Sequence, residues 1–488
     1  MGQFFWDNLL SIDRTSTVPV YVQITNAIIK EIRYGRIQPG KKLPGVKKLG
    51  GLLGVNKKTI EKVYMELELQ EWISIAPKKG SYVSKELPEL KYRGFDFLKP
   101  TSLKNTTAYP LPDLEVLKPS RYHETNILSF DDGFPDPRLV DHVSLARAYR
   151  RIFSLKSYRS LLEYADPYGD GILREILAGF LHETRGIPCK PENLLITRGS
   201  QMGLYLSMLL LMQKRQKAIV GNPGYFGANQ LLRYCGAQLL EVAVDDQGIV
   251  VDEIEKLCGT GNVPRLVYTT PHHHHPTTVT LSASRRLALL ALAEKYRFAI
   301  IEDDYDYDFH YDKSPIMPMS SVDPGGAVIY VGSFSKVLAP SFRVGYLVAP
   351  KNFVDQAARL RRIIDHQGDL VLERAFAELL DQGEIQRMLK RSLKVYRHRR
   401  DHISLQLAGH FRHGIDFTKP DGGLAIWAKF DPSINVKKVV SAAYRKGLSI
   451  YMKEQYVTNF NALRLGFASL DFDEIDKALH IMKEALEL

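Results

Sequence analysis

Phe298-Ala299-Ile300-Ile301-Glu302-Asp303-Asp304-Tyr305-Asp306, then Ala327 to Val331 running into Gly332-Ser333-Phe334-Ser335-Lys336, then Ala339-Pro340-Ser341-Phe342-Arg343-Val344-Gly345-Tyr346: around these segments the chain is organised. The first apolar run, Phe298 to Ile301, reads as a buried strand and Glu302 to Asp306 as an acidic turn. The second run reads as a neighbouring strand that ends in small residues and one lysine. An amine held there, beside a cleft, can attack an aldehyde if desolvation or a cationic neighbour keeps its pKa low. Asp303 and Tyr305, two residues apart, point to the same side of an extended segment. The bland alternative is a surface acidic turn and an unrelated exposed lysine.

A pyridoxal 5'-phosphate site needs a lysine for the aldehyde, a carboxylate for the pyridine nitrogen and donors for the phosphate. Ser333, Ser335 and Arg343 are candidates for the last. The order E-D-D-Y-D, G-S-F-S-K, P-x-x-R-x-G-Y resembles fold-type I aminotransferases and, within them, the MocR group of regulators. That resemblance implies Asp303 on the pyridine nitrogen, Tyr305 on the ring hydroxyl, Lys336 on the aldehyde and Arg343 on the phosphate.

The 488 residues are 45% hydrophobic and 25% charged, ordinary globular material with length for two or more domains. The longest apolar run, Leu204 to Met212, falls far short of a membrane span, and no secretion signal is evident at the N-terminus. Cys189, Cys235 and Cys258 are scattered without metal spacing, which fits a reducing cytoplasm. The net charge is +11, and residues 1–85 carry 14 Lys and Arg against seven Asp and Glu. Such asymmetry suggests a polyanion partner, although a solvated basic face would also produce it.

Pro19 to Tyr34 has helical apolar spacing and is stopped by Gly35 and Pro39-Gly40. A short helix over Val46 to Leu53 ends at Gly54, and Asn56 can cap the next, Lys57 to Gln70. Two short helices joined at a glycine form a helix-turn-helix. Trp72 to Ile75 and Ser81 to Val83 read as a hairpin wing. The segment resembles the GntR-type winged helix through Pro19, Tyr21, Gln23, Ile24, Pro39-Gly40, Leu43-Pro44, Leu53-Gly54-Val55, Thr59-Ile60 and Gly80-Ser81-Tyr82-Val83. It implies an operator in double-stranded DNA as partner, with Lys47, Asn56, Lys57, Lys58 and Thr59 at the contact. The family serine and arginine are here Gly45 and Lys47, and its S-R pair is Asn56-Lys57. Lysine keeps the attraction for phosphate and loses the fork that reads guanine.

From 86 to 126 periodicity lapses among Pro88, Pro100, Pro110, Pro112 and Pro119, as in a linker. The expected division is therefore a winged helix over 10–85, a linker over 86–126 and an aminotransferase-like body over 127–488. The body's last part, roughly 400–488, reads as a small α+β subdomain.

Within the body, Asp131-Asp132-Gly133-Phe134-Pro135-Asp136 resembles the aminotransferase cleft mouth. Tyr164, with Tyr168 second, matches the tyrosine that reaches the neighbouring subunit's phosphate in those enzymes, and either could be core. Gly199-Ser200-Gln201, between a strand and a helix, offers free N–H groups to an anion, so Ser200 and Gln201 are read as half of a phosphate cup. Tyr225, after Pro223-Gly224, matches the aromatic that stacks on the pyridine ring; a loop tyrosine capping the core is the alternative. His272 to His275 invite a metal reading, but consecutive residues in a turn diverge and their loop holds no acidic or cysteine ligand. The family has T-P-x-H-Q-x-P-T-G here, so His273 matches its histidine and Thr278 replaces its glycine.

Alternating strands and helices imply a mostly parallel sheet covered on both faces, with ligand at the strand C-termini. Basic helical stretches at Arg359 to Arg362 and Lys390 to Arg400 read as solvated or dimer-facing. Arg464, in Asn461-Ala462-Leu463-Arg464-Leu465-Gly466-Phe467, resembles the arginine that grips a substrate carboxylate. Ala425 stands where the family's G-G-L-H has histidine. The two resemblances together imply a homodimeric MocR-type regulator whose body holds pyridoxal phosphate and senses an amine, an amino acid or the cofactor itself. The alternative is an active aminotransferase carrying a DNA-binding head, with Lys336 as attachment point and general base.

Overall fold

The computed structural model describes residues 6, 12–87, 105–111, 128–412 and 414–487. The chain forms two compact units, 1–112 and 113–488. Most of the expected linker lies outside the described residues.

In the first unit the apolar spacing produces α1 (Val20–Arg33), α2 (Val46–Leu52) and α3 (Lys57–Leu69). Ile24, Ile28, Ile32, Leu49, Ile60, Val63 and Leu67 close one core with Trp72 and Val83. Gly54, at φ +60°, makes the turn after α2. The turn is tight, because a Cβ on Gly50 would lie 3.0 Å from the Val55 carbonyl oxygen. The Asn56 side chain caps α3 by accepting from the Lys58 N–H at 2.9 Å. β1 (Ile73–Ala76) and β2 (Gly80–Val83) pair antiparallel as the wing.

Among the described residues the first element of the second unit is β3 (Leu128–Phe130), and the unit contains an eight-stranded sheet. Its strands are β4 (Leu194–Thr197), β5 (Lys217–Asn222), β6 (Gln238–Asp245), β7 (Gly248–Ile249), β8 (Leu266–Thr269), β9 (Ala299–Asp304), β10 (Val328–Ser333) and β11 (Gly345–Val348). Their spatial order is β4-β11-β10-β9-β8-β5-β6-β7, parallel from β10 through β6. The central strands are apolar runs because both faces are covered. Ile219, Val267 and Ile300 face the helices Val251–Gly259 and Ala283–Tyr296. Val220, Leu266, Tyr268 and Ile301 face Ser200–Leu211 and Lys351–Ile364. Glu302, Asp303 and Asp304 continue β9 as buried strand and do not form the expected turn. Burial on both faces lets the ladder run on until Tyr305.

β12 (Ile415–Phe417), β13 (Ala425–Phe430) and β15 (Ala462–Gly466) form a small antiparallel sheet, while β14 (Leu448–Ile450) pairs with β3. The start of the unit thus packs with its C-terminal part. The basic stretches differ from expectation at three positions, for Arg361, Arg399 and Arg400 are buried. Arg361 donates to the carbonyls of Pro167 and Ile196, Arg399 meets Asp136, and Arg400 meets Asp312 and Asp401. Those partners lie far away in sequence or look ordinary in it. Among the described residues no helix is long and apolar enough to cross a membrane.

Candidate functional site

The register of the sheet gathers the expected residues at one edge. Asp303 lies opposite Val331, Ser333 opposite Gly345, and Gly345 opposite Thr197. Four neighbouring strands, β9, β10, β11 and β4, therefore bring together Asp303, the Ser333–Lys336 turn and the Gly199–Gln201 turn.

Phe334 packs against Phe376 and Tyr346, with ring centroids 4.6 and 5.3 Å away, and anchors the turn that carries Lys336. The Lys336 ammonium donates to the Gly133 carbonyl and lies over the rings of Phe134 and Tyr305. Burial lowers its pKa, Arg464 adds to the effect, and Asp132 and Asp306 oppose it.

Asp303 is buried on the same sheet face as Tyr268, whose hydroxyl donates to its Oδ2 at 2.7 Å. Its Oδ1 is buried with no hydrogen-bond partner. Burial raises the carboxyl to about 7 against the Tyr268 hydrogen bond, with Asp304 and Asp306 adding to the rise. An unpaired buried carboxylate oxygen at a strand end is costly and fits a missing donor such as a pyridinium N–H. Tyr305 donates to the His273 carbonyl at 2.7 Å, and Arg464 Nη2 approaches its hydroxyl at 3.5 Å.

At the other end, Gly199 at φ +73° leads into the helix Ser200–Leu211, which has no side-chain cap. A Cβ on Gly199 would fall 2.7 Å from Arg343 Nη2, so the exposed guanidinium lies against the helix N-terminus. Arg343 adopts φ +52°, a conformation that costs about 1 kcal/mol or more for a residue with a Cβ, and donates to the Arg198 carbonyl. Ser333 accepts from the Ser335 N–H, and the Ser335 hydroxyl is buried without a partner. Gln201 is exposed on the first turn of the helix. Helix dipole, free N–H groups, hydroxyl and guanidinium suit a phosphate.

Arg464 is 1% exposed on β15. Its Nε lies 3.4 Å from Asp132 Oδ1, and its Nη1 donates to the Pro276 carbonyl at 3.0 Å. His275 Nε2 lies 2.9 Å from the same Asp132 oxygen, and its ring stands edge-on to Tyr225 at 5.0 Å. His273 faces elsewhere, toward Asp306 and His310. All four histidines are buried, and each has its own partner: Asp304, Asp306, Thr277 and Asp132 in order. Among the described residues no group of three or more His, Cys, Asp or Glu is arranged to hold a metal. Thr278, in place of the family glycine, takes φ +65°.

Tyr164 is 89% exposed, beside a recess of about 450 Å³ shared with Tyr168, Arg359 and Arg362. Tyr168 instead donates to Asp355 at 2.7 Å. On the first unit Lys47, Asn56, Lys57 and Lys58 are exposed and Thr59 is half-buried, while Lys57 pairs with Glu61 at 3.1 Å.

Residues 125–482 match the family of aminotransferases class I and II, and residues 20–83 match the bacterial regulatory proteins of the gntR family. The HTH-type transcriptional regulator TauR of Rhodobacter capsulatus is 30% identical over 88% of this chain and 87% of its own. The probable rhizopine catabolism regulatory protein MocR of Rhizobium meliloti is 24% identical over 98% and 96%. The chain belongs to the MocR-type regulators of the GntR family. A solved structure of Pyrococcus horikoshii kynurenine aminotransferase, in complex with PMP, resembles the body of this MocR-type chain. It has TM-score 0.70 and 28% identity, covering 74% of this chain and 91% of that one.

Nothing local in the sequence marks Tyr268, Asp132 or His275 as neighbours of the candidate residues Asp303, Arg464 and Tyr225. Tyr268 reaches Asp303 only through strand register, and nothing in the four-histidine run distinguishes the ring that turns toward Tyr225. Asp132 was legible as part of the cleft mouth, but its pairing with Arg464 spans more than 300 residues of chain.

Proposed function

We propose that this transcription regulator binds pyridoxal 5'-phosphate in its body and changes its DNA affinity when an amine, an amino acid or the cofactor itself binds there. The observation that carries this reading is the buried Asp303 carboxylate, with one oxygen fixed by Tyr268 and the other unpaired, on the strand next to that of Lys336. When bound, the cofactor supplies an electrophilic aldehyde and an electron-accepting ring. Lys336 would hold the aldehyde, its amine kept nucleophilic by burial. Asp303 would hold the proton on the ring nitrogen, and Tyr225 would cover the ring. Arg343, Ser200, Gln201, Ser333 and Ser335 would hold the phosphate. Tyr305 and the His273 carbonyl that it binds would line the ring hydroxyl, and Arg464 would line the far end of the pocket.

The division into a head over 10–85, a linker over 86–126 and a body over 127–488 belongs to this reading, as does a cytoplasmic location. So does a homodimer: exposed Tyr164, with Ile363 83% exposed on the helix that also carries Arg359 and Arg362, is suited to meet a second copy. Lys47, Asn56, Lys57, Lys58 and Thr59 would meet the operator. A ligand can shift DNA affinity only by the difference in its own affinity for the free and DNA-bound forms.

The test is operator affinity measured with the cofactor-loaded protein, with and without primary amines. A reproducible change with a loaded chain, lost in Lys336→Ala, supports the reading; unchanged affinity across a broad panel contradicts it. Lowered basicity at Lys336 also suits proton transfer in an aminotransferase. Stoichiometric release of a keto acid from added amino acid would favour that second reading.

A further inference from the structure

The carboxylate anchor of the pocket is already engaged. Arg464 faces Asp132 through both the Oδ1 atom, at 3.4 Å from Nε, and the main-chain carbonyl, at 3.3 Å. Its other nitrogens meet the Pro276 carbonyl and the Tyr305 hydroxyl. Asp132 is held from a second side by His275, whose Nδ1 lies 3.5 Å from the Tyr456 hydroxyl.

The loop that carries Asp132 is tightly seated. Asp131 Oδ1 accepts from the N–H groups of Gly133 and Phe134 at 2.7 and 2.8 Å, and its Oδ2 accepts from the Ser469 hydroxyl at 2.6 Å. A Cβ on Gly466 would fall 2.2 Å from Asp131 Oδ1, so the loop lies directly on β15, two residues from Arg464. The next residue, Gly133, takes φ +85° and presents its carbonyl to Lys336. One short segment thus offers a carboxylate to Arg464 and a carbonyl to Lys336, the two groups that an α-amino acid would address with its carboxylate and its amine.

Resting on the reading of this pocket as a cofactor-loaded amine site, we propose that Asp132 determines ligand class: fixed on Arg464, it neutralises the carboxylate anchor and turns the pocket toward primary amines that carry no carboxylate. A ligand carboxylate brought beside Arg464 would also meet Asp132, and two like charges at a buried guanidinium leave one uncompensated. An amine without that group avoids the conflict, and its alkyl part meets the rings of Phe134, Tyr225 and Tyr305.

Matched pairs test this: alanine against ethylamine, and leucine against 3-methylbutylamine. Their affinities for the cofactor-loaded full chain are read from the cofactor's absorbance and by calorimetry. The wild type should bind each amine more tightly than its parent amino acid. Asp132→Asn should move the ratio toward the amino acid by about tenfold or more, the scale of one charge-assisted contact. Asp132→Ala, which has no amide to bond Arg464, should move it in the same direction. Because the ratio is taken within one protein, a loss of stability common to both ligands cancels. Wild-type preference for the amino acids, or a ratio unchanged in both variants, overturns the proposal. A chain that takes up no cofactor overturns the underlying reading before any ligand is added.

Discussion

Two arginines of the proposed site are built differently. Arg343 is exposed, lies against a helix N-terminus and spends one hydrogen bond on a main-chain carbonyl. Arg464 is 1% exposed and faces an internal carboxylate, a carbonyl and a phenol. The first lies at a helix N-terminus without a side-chain cap and suits an incoming dianion. The second already has its counter-charge, so its attraction for a further anion is reduced. Identical side chains thus acquire different tasks from their neighbours.

Replacing each arginine should have opposite signatures. Arg464→Ala leaves Asp132 with His275 as its remaining side-chain partner and should lower the stability of the cofactor-free protein by about 1–3 kcal/mol, the cost of removing one partner of a charged hydrogen-bonded pair. Calorimetric melts or denaturant titrations would measure it. A loss near zero would mean that Asp132 is not paired with Arg464 in solution. Arg343→Ala should leave that stability nearly unchanged, since the side chain is exposed. Its effect should fall on cofactor affinity, weaker by about 10- to 100-fold for a lost charge-assisted phosphate contact. Equilibrium titration with pyridoxal phosphate reads this, and unaltered affinity would remove Arg343 from the phosphate end.

The contrast in surroundings extends to Asp303, on the strand next to that of Lys336. Its carboxyl is raised to about 7 in the fold against 3.8 when exposed. The folded chain therefore keeps a proton that the unfolded chain loses between about pH 4 and 7. Stability from this group is present at low pH and is lost as pH rises through that window. In the cofactor-free protein, Asp303→Asn should flatten the fall by at most about 1.4 kcal/mol per pH unit, the value of one proton. Tm measured against pH in both proteins gives the difference directly. Parallel curves would show that Asp303 is ionised throughout.

The strands around Lys336 are legible in the sequence because the apolar runs Phe298 to Ile301 and Ala327 to Val331 mark them. Asp303, Lys336 and Arg343 stand at strand ends that the apolar runs delimit, so pattern and chemistry coincide. Glu302 to Asp304 misled because acidic residues rarely continue a buried strand. Here the Met319 and Ser320 N–H groups satisfy Glu302, and His272 and Tyr330 satisfy Asp304. Arg361 and Arg400 looked like surface charge for the same reason: their partners are carbonyls and distant acids that no local pattern marks. The helix-turn-helix was easier, since caps, glycine turn and apolar spacing are all local.

The head offers the smallest expected effect. Lys57 already pairs with Glu61, whereas no ion pair is recorded for Lys58 among the described residues. Lys58→Ala should therefore reduce the magnitude of the log–log salt slope of DNA binding by about 0.9, one phosphate contact, and Lys57→Ala by less. Filter binding or fluorescence anisotropy over a range of salt would show it. Equal slopes for wild type and both variants would displace these lysines from the phosphate backbone.

Lys336 is the centre of the proposed site, and its chemistry can be read without any assay of DNA binding. The protein is loaded with pyridoxal phosphate, reduced with borohydride, digested and mapped by mass spectrometry. A single modified peptide carrying the pyridoxyl group on Lys336, absent from Lys336→Ala, is the result expected. A pyridoxyl group on another lysine, or none on a protein that has been exposed to saturating cofactor, would contradict the assignment of Asp303, Lys336 and Arg343 to one site.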